Sequence, residues 1–181
     1  MRLFVAIEIP SDIRERIMAF VAAVQPKVQG TRWVRSEGLH ITLKFLGNVQ
    51  DEKRGAIESA LSTITHPGCK LSLEKTGVFP TLKHPRVLWI GIDSGPELAN
   101  LAAQADRVLS PLGFEREQRA YTPHVTLARM DERGKKSDVA AALSEPNLSF
   151  GTMTATQFHL YESKLSPQGA RYTKLTSFPL R

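Results

Sequence analysis

The chain has 181 residues, within the range of one domain with a self-supporting core, and 24 Lys and Arg against 18 Asp and Glu leave a net charge of +6. That surplus favours anionic partners such as nucleic acid, nucleotides or anionic lipid without choosing among them. One cysteine, Cys69, excludes an intramolecular disulfide and a Cys-x-x-Cys zinc site; with no run near the roughly 20 apolar residues of a membrane helix and no signal-peptide pattern in MRLFVAIEIP, a soluble, cytoplasmic monomer is expected.

Leu3-Phe4-Val5-Ala6-Ile7-Glu8-Ile9 is apolar and β-branched and predicts a strand. Pro10-Ser11-Asp12 then offers a stop and a helix N-cap, and Ile13, Ile17, Phe20, Val21 and Val24 recur at helical spacing. Trp33-Val34 and Leu39 to Leu46 read as strands, Gly47-Asn48 as a break, Asp51 to Ile64 as a second helix and Lys70 to Val78 as a strand. Pro80, His84 and Pro85 mark a tight crossing rather than a flexible linker. Val87 to Asp93 repeats the character of the first strand, and Glu97 to Leu109 is a helix with Leu98, Leu101, Ala102, Ala105 and Val108 along one side. Pro123 to Arg129 is a strand, Ser137 to Leu143 a short helix and Phe150 to Tyr161 a final long strand.

The two halves share one design. Phe4 to Trp89 spans 85 positions and His40 to His124 spans 84. Two copies of a strand-helix-strand-helix-strand unit fit two packed lobes better than an extended array. The expectation is one α+β domain, with a pseudo-repeat over about 1–80 and 86–165.

The copies also share His-aliphatic-Thr-Leu, as His40-Ile41-Thr42-Leu43 and His124-Val125-Thr126-Leu127. Side chains at i and i+2 of a strand lie on one face. His40 therefore stands beside Thr42 while Ile41 and Leu43 point to the core, and the second copy does the same. In-line displacement at phosphorus needs a base for the attacking oxygen and an acid for the leaving one. Histidine serves as either near neutral pH, and a threonine hydroxyl can donate to a phosphoryl oxygen that holds charge in the transition state.

One His-x-Thr strand is usually structural; two in equivalent positions are harder to dismiss. A zinc site is disfavoured, because each strand supplies one good ligand where three or four are needed. His66, His84 and His159 read as surface or packing residues. No phosphate-binding glycine loop, Rossmann fingerprint or Gly-x-Ser-x-Gly elbow is present, which argues against ATP-driven chemistry and a serine hydrolase.

Around these motifs the sequence resembles the LigT-like RNA 2′,3′-cyclic phosphodiesterases, or 2′-5′ RNA ligases, of the two-histidine phosphoesterase superfamily. The segments that carry the likeness are RLFVAIEIP, LHITLKFLG, YTPHVTLAR and YESKLSPQGARYTKLTSFPL. The resemblance implies a bilobal fold of pseudo-symmetric lobes, with antiparallel sheets lining a central cleft and helices outside. It implies opening of a 2′,3′-cyclic phosphate on RNA to a 2′-phosphate without metal or cofactor, and weak, reversible 2′-5′ joining in some members. His40 would then be the proton donor to the departing 3′ oxygen, His124 the acceptor that activates water, and Thr42 and Thr126 the phosphate holders.

Arg129, two residues past Leu127, is read as sharing the face of His124 and adding a positive charge near the phosphate. Phe4 and Trp33 are expected in the core, with base stacking as the alternative. Other substrates compatible with the motifs are small cyclic-phosphate nucleotides and 2′-5′ oligonucleotides. A non-catalytic binder of RNA ends is the rival from another class.

Overall fold

A computed structural model describes residues 1–28, 30–130, 139–143, 148–167 and 169–181. In chain order it forms β1 (Arg2–Glu8), α1 (Ser11–Val24), β2 (Thr31–Trp33), β3 (His40–Asn48), α2 (Arg54–Ser62), β4 (Cys69–Thr81), β5 (His84–Asp93), α3 (Glu97–Leu109), β6 (His124–Met130), α4 (Val139–Ala142), β7 (Ser149–Ala155), β8 (Gln157–Ser166) and β9 (Gly169–Pro179). No helix among the described residues is long and apolar enough to cross a membrane.

The helices are amphipathic for the reason their spacing suggests. Ile13, Ile17, Val21 and Val24 of α1, and Leu98, Leu101, Ala102, Ala105 and Leu109 of α3, form single buried stripes. Each Val, Ile or Leu among them, fully removed from water, stabilises the fold by roughly 1.5–3 kcal/mol. β1 is apolar from Leu3 through Ile7 because both its faces are covered there. Leu3, Val5 and Ile7 enter the main core, while Phe4 and Ala6 join Tyr161 in a separate small cluster.

The strands pair antiparallel in the order β7-β4-β5-β6-β3-β1-β8-β9, and β2 pairs with β6 beside this path. Four strands of this path lie on each side of the centre, and β2 adds a fifth beside β6. The two sides meet through one residue pair, Ile41 opposite Val125, so they are two sheets hinged at a seam. The same pattern of neighbours recurs across that seam. β1 lies between β3 and β8, as β5 lies between β6 and β4. β4 comes from the first half of the chain yet pairs with β5 and β7, and β8 from the second half pairs with β1.

Three local expectations change, and a fourth is only partly covered. No side chain caps α1; Pro10 is its N-cap, and the Arg14 amide donates to the Pro10 carbonyl at 2.9 Å. β3 runs through Gly47-Asn48 instead of breaking there, because Gly47 takes a left-handed φ of 70° where the pairing with β1 shifts register. The last expected strand is two, β7 and β8, parted at Thr156, and it is followed by β9, whose mostly exposed residues carry little apolar alternation to read. Of the expected helix from Ser137, residues 137 and 138 lie outside the described residues; α4 covers Val139–Ala142.

Candidate active site

The seam between the two sheets brings the motifs together. Continuing the antiparallel register from Ile41 and Val125 sets His40 across from Thr126 and Thr42 across from His124. Ile41 and Val125 are fully buried on the core side, whereas the two histidines and two threonines are partly exposed on the other face. The imidazoles are therefore diagonal neighbours across the seam, close enough for the charge of one to act on the other. Among the described residues neither threonine hydroxyl has a hydrogen-bond partner, so both are free to donate to a bound oxyanion.

Each ring is held the same way. His40 Nδ1 donates to the carbonyl of Gly38 at 2.7 Å, and His124 Nδ1 donates to that of Thr122 at 2.8 Å. A carbonyl only accepts, so the proton of the neutral ring sits on Nδ1 and Nε2 is left with a lone pair for proton transfer. The sequence pattern gave no hint of these two carbonyls, because neither carbonyl is marked by a residue type.

The surroundings of the two rings differ. His40 packs against Phe4, with centroids 4.7 Å apart, and against the edge of Tyr172 at 5.2 Å. Burial under these rings lowers its pKa from the ordinary 6.5 to about 4. The Gly38 carbonyl opposes this shift, and the nearby charges of Arg129 and His124 add to it. His124 meets the edge of Phe79 at 5.1 Å, and Phe79 leans on Trp89. The Trp89 ring lies so close over Gly77 that a Cβ there would stand 2.2 Å from it. Beside His40, Glu8, Arg14, Tyr161, Tyr172 and Lys174 border a cavity of about 200 Å³.

Arg129 reaches this face by a route the motif alone does not give. It stands five positions after His124, so strict alternation would turn it to the core. The β5–β6 register shifts between Leu88 and Trp89: Trp89 faces Thr126 and Leu88 faces Ala128, which leaves Leu127 as an extra residue. This β-bulge reverses the alternation. Leu127 and Ala128 are both buried and Arg129 is exposed on the cleft side, within electrostatic reach of His40.

Of the other singled-out residues, Phe4 is buried beneath His40 and Trp33 packs on the main core. His66 and His159 are buried and His84 is exposed in the β4–β5 hairpin. His159 Nδ1 is 2.9 Å from Ser177 Oγ. Tyr121 was missed: its hydroxyl donates to the Thr42 carbonyl at 2.7 Å, tying the segment before the second motif to the strand of the first. The segment is pinned again where Lys44 pairs with Asp106 and donates to the Glu115 carbonyl, while Asp106 accepts from the Glu117 amide.

Comparison with known proteins agrees with this architecture. The family model described as LigT like Phosphoesterase matches twice, over residues 7–89 and 90–172. The chain is 38% identical over 179 residues to the RNA 2′,3′-cyclic phosphodiesterase of Archaeoglobus fulgidus, covering 98% of this chain and 99% of that one. It is 35% identical over 185 residues to the enzyme of that name from Escherichia coli, covering 99% and 96%. The crystal structure of Escherichia coli LigT complexed with 3′-AMP superposes with a TM-score of 0.83 at 32% identity, over 99% of this chain and 97% of the other. By its twofold family match and its relatives along nearly its whole length, the chain belongs to the LigT-like phosphoesterases.

Proposed function

We propose that this protein is a hydrolase of phosphodiester bonds, an RNA 2′,3′-cyclic phosphodiesterase that opens the cyclic end to a 2′-phosphomonoester by acid–base catalysis. One observation carries the reading: two imidazoles with identical Nδ1 anchors present free Nε2 atoms on one face of a seam, each beside an unpartnered threonine hydroxyl. The family and the shared name of its relatives supply the substrate class. The whole chain is read as one domain, with a pseudo-repeat over about 1–80 and 86–165.

In this mechanism His124 Nε2 takes a proton from water as its oxygen attacks phosphorus, and the bond from phosphorus to the 3′ oxygen breaks. His40 delivers a proton to that oxygen, leaving a 3′ hydroxyl and a 2′-phosphate. Thr42, Thr126 and Arg129 hold the non-bridging oxygens, where charge persists through the transition state. A 5′ hydroxyl in the place of water gives 2′-5′ joining by the same displacement. His40 enters the empty cleft neutral, so it acts as an acid only if the substrate charges it. A phosphate anion within about 4–6 Å raises a neighbouring imidazole's pKa by about 1–3, which carries His40 from about 4 toward neutrality.

Proton transfer by two imidazoles requires no metal, and among the described residues no three His, Cys, Asp or Glu side chains converge as a ligand set. A cytoplasmic setting and a monomeric state complete the proposal; Cys69 is a free, buried thiol. The test is incubation of purified protein, in chelator, with an oligonucleotide ending in 2′,3′-cyclic phosphate. A 2′-phosphate product supports the reading, whereas a cyclic end bound and left intact replaces it with that of an RNA-end binder.

A further inference from the structure

The face that carries the motifs continues past them. Along β6, His124 is flanked by Thr42 and Thr126 by His40; the next cleft-facing residue, after the bulge, is Arg129, and its partner on β2 is Arg32. β2 takes over the edge of β6 where β3 leaves it, and the Val34 amide bonds to the Leu127 carbonyl at the junction. Ala128 and Met130 are buried in the core and Trp33 packs against it, so Arg32 and Arg129 share the opposite face. Both are exposed.

Two guanidiniums directly opposite each other on one face of an antiparallel pair destabilise it. Among the described residues no carboxylate stands within ion-pair distance of either, although Glu8, Glu58, Glu117 and Asp106 all pair with cations elsewhere. Such a pair is resolved by an anion. Arg129 is spoken for at the reacting phosphate, close enough to act on His40. Arg32 lies one strand further out, in a row roughly 7–10 Å along β6 from Thr126 at about 3.3 Å per residue.

Resting on the phosphodiesterase reading above, we propose that Arg32 forms a second phosphate subsite, next to the one Arg129 serves, for the phosphodiester that joins the terminal nucleotide to the rest of the RNA. The planar fork of arginine suits two oxygens of such a group. The consequence is a preference for cyclic ends carried on a chain over free nucleoside cyclic phosphates, which have no second phosphate to hold.

The experiment compares kcat/KM for a dinucleotide ending in 2′,3′-cyclic phosphate with that for the nucleoside 2′,3′-cyclic phosphate, in wild type, Arg32→Gln and Arg32→Lys. Arg32→Gln is expected to lower the dinucleotide-to-nucleoside ratio by about tenfold, the worth of a charge-assisted contact, and Arg32→Lys to retain most of it. Replacing the internal linkage by an uncharged methylphosphonate is expected to lower the wild-type ratio equally and to leave Arg32→Gln nothing more to lose. A ratio that survives Arg32→Gln overturns the proposal, as does a loss that persists with the uncharged linkage. Wild type that opens neither substrate sinks the phosphodiesterase reading itself, a different result from an altered ratio.

Discussion

The division of labour between the two histidines is open to a chemical test, because their pseudo-symmetry assigns neither role. Burial puts His40 near pKa 4 in the empty cleft, so at pH 7 about one molecule in a thousand carries its proton. Charging it there costs about 4 kcal/mol at 1.36 kcal/mol per pKa step. A bound phosphate returns about 1–3 of those steps, so an acid at this position is charged largely by its substrate. A leaving group that needs no proton escapes the whole requirement. Sulfur at the bridging 3′ position is such a group, since a thiolate with pKa near 8.5 departs unaided.

On the oxygen substrate His40→Ala should lose on the order of 10²-fold or more in turnover, the usual worth of a positioned acid or base. On the 3′-thio substrate it should return to within about tenfold of wild type, while His124→Ala, lacking the base that activates water, stays low. Release of thiol, followed continuously with a chromogenic thiol reagent, reads the reaction; Cys69 is buried and adds little background. Rescue of His124→Ala instead would reverse the two roles, and rescue of neither would remove proton donation to the 3′ oxygen from the mechanism.

Exhaustive chelation should leave the rate on cyclic-phosphate RNA unchanged, and a loss restored by zinc or manganese would refute acid–base catalysis by the imidazoles alone. Tyr121→Phe removes the 2.7 Å bond to the Thr42 carbonyl; kcat should fall about tenfold with KM little changed, since small misplacements of catalytic groups are costly. Equal losses in wild-type-like proportion of kcat and KM, or no loss, would deny it a positioning role. Burial, with a smaller contribution from Lys174, lowers the His159 pKa from 6.5 to about 4. The unfolded chain therefore takes up this proton first, so stability is lost as pH falls from about 6.5 to 4, with a slope of up to about 1.4 kcal/mol per pH unit. Glu8, Glu58 and Asp106 are also lowered but from carboxylate values, so their losses come at lower pH. Denaturant melts between pH 6.5 and 4.5 should show a flatter decline for His159→Gln than for wild type; equal slopes would refute the assignment.

Elements built on short-range periodicity were legible in the chain itself. The buried stripes of α1 and α3 repeat every three or four residues, and the Ile41-Leu43 and Val125-Leu127 alternation sets which side of each motif strand faces the core. The equal spacing of the two motifs announced the pseudo-symmetry, and with it the pairing of His40 and His124 as one site. What remained hidden depends on partners distant in sequence. Strand β4 leaves its own half to pair with β5 and β7 while β8 returns to β1, a choice of neighbours that no local pattern within either strand encodes. Strand β9 gave little signal since its solvent-facing residues need no apolar alternation. The tautomer of both histidines rests on the carbonyls of Gly38 and Thr122, whose positions come from backbone path and not from side-chain type. The same holds for Arg129: alternation counted along β6 sends it to the core, and only the extra residue that pairing with β5 accommodates at Leu127 turns it back to the cleft, opposite Arg32.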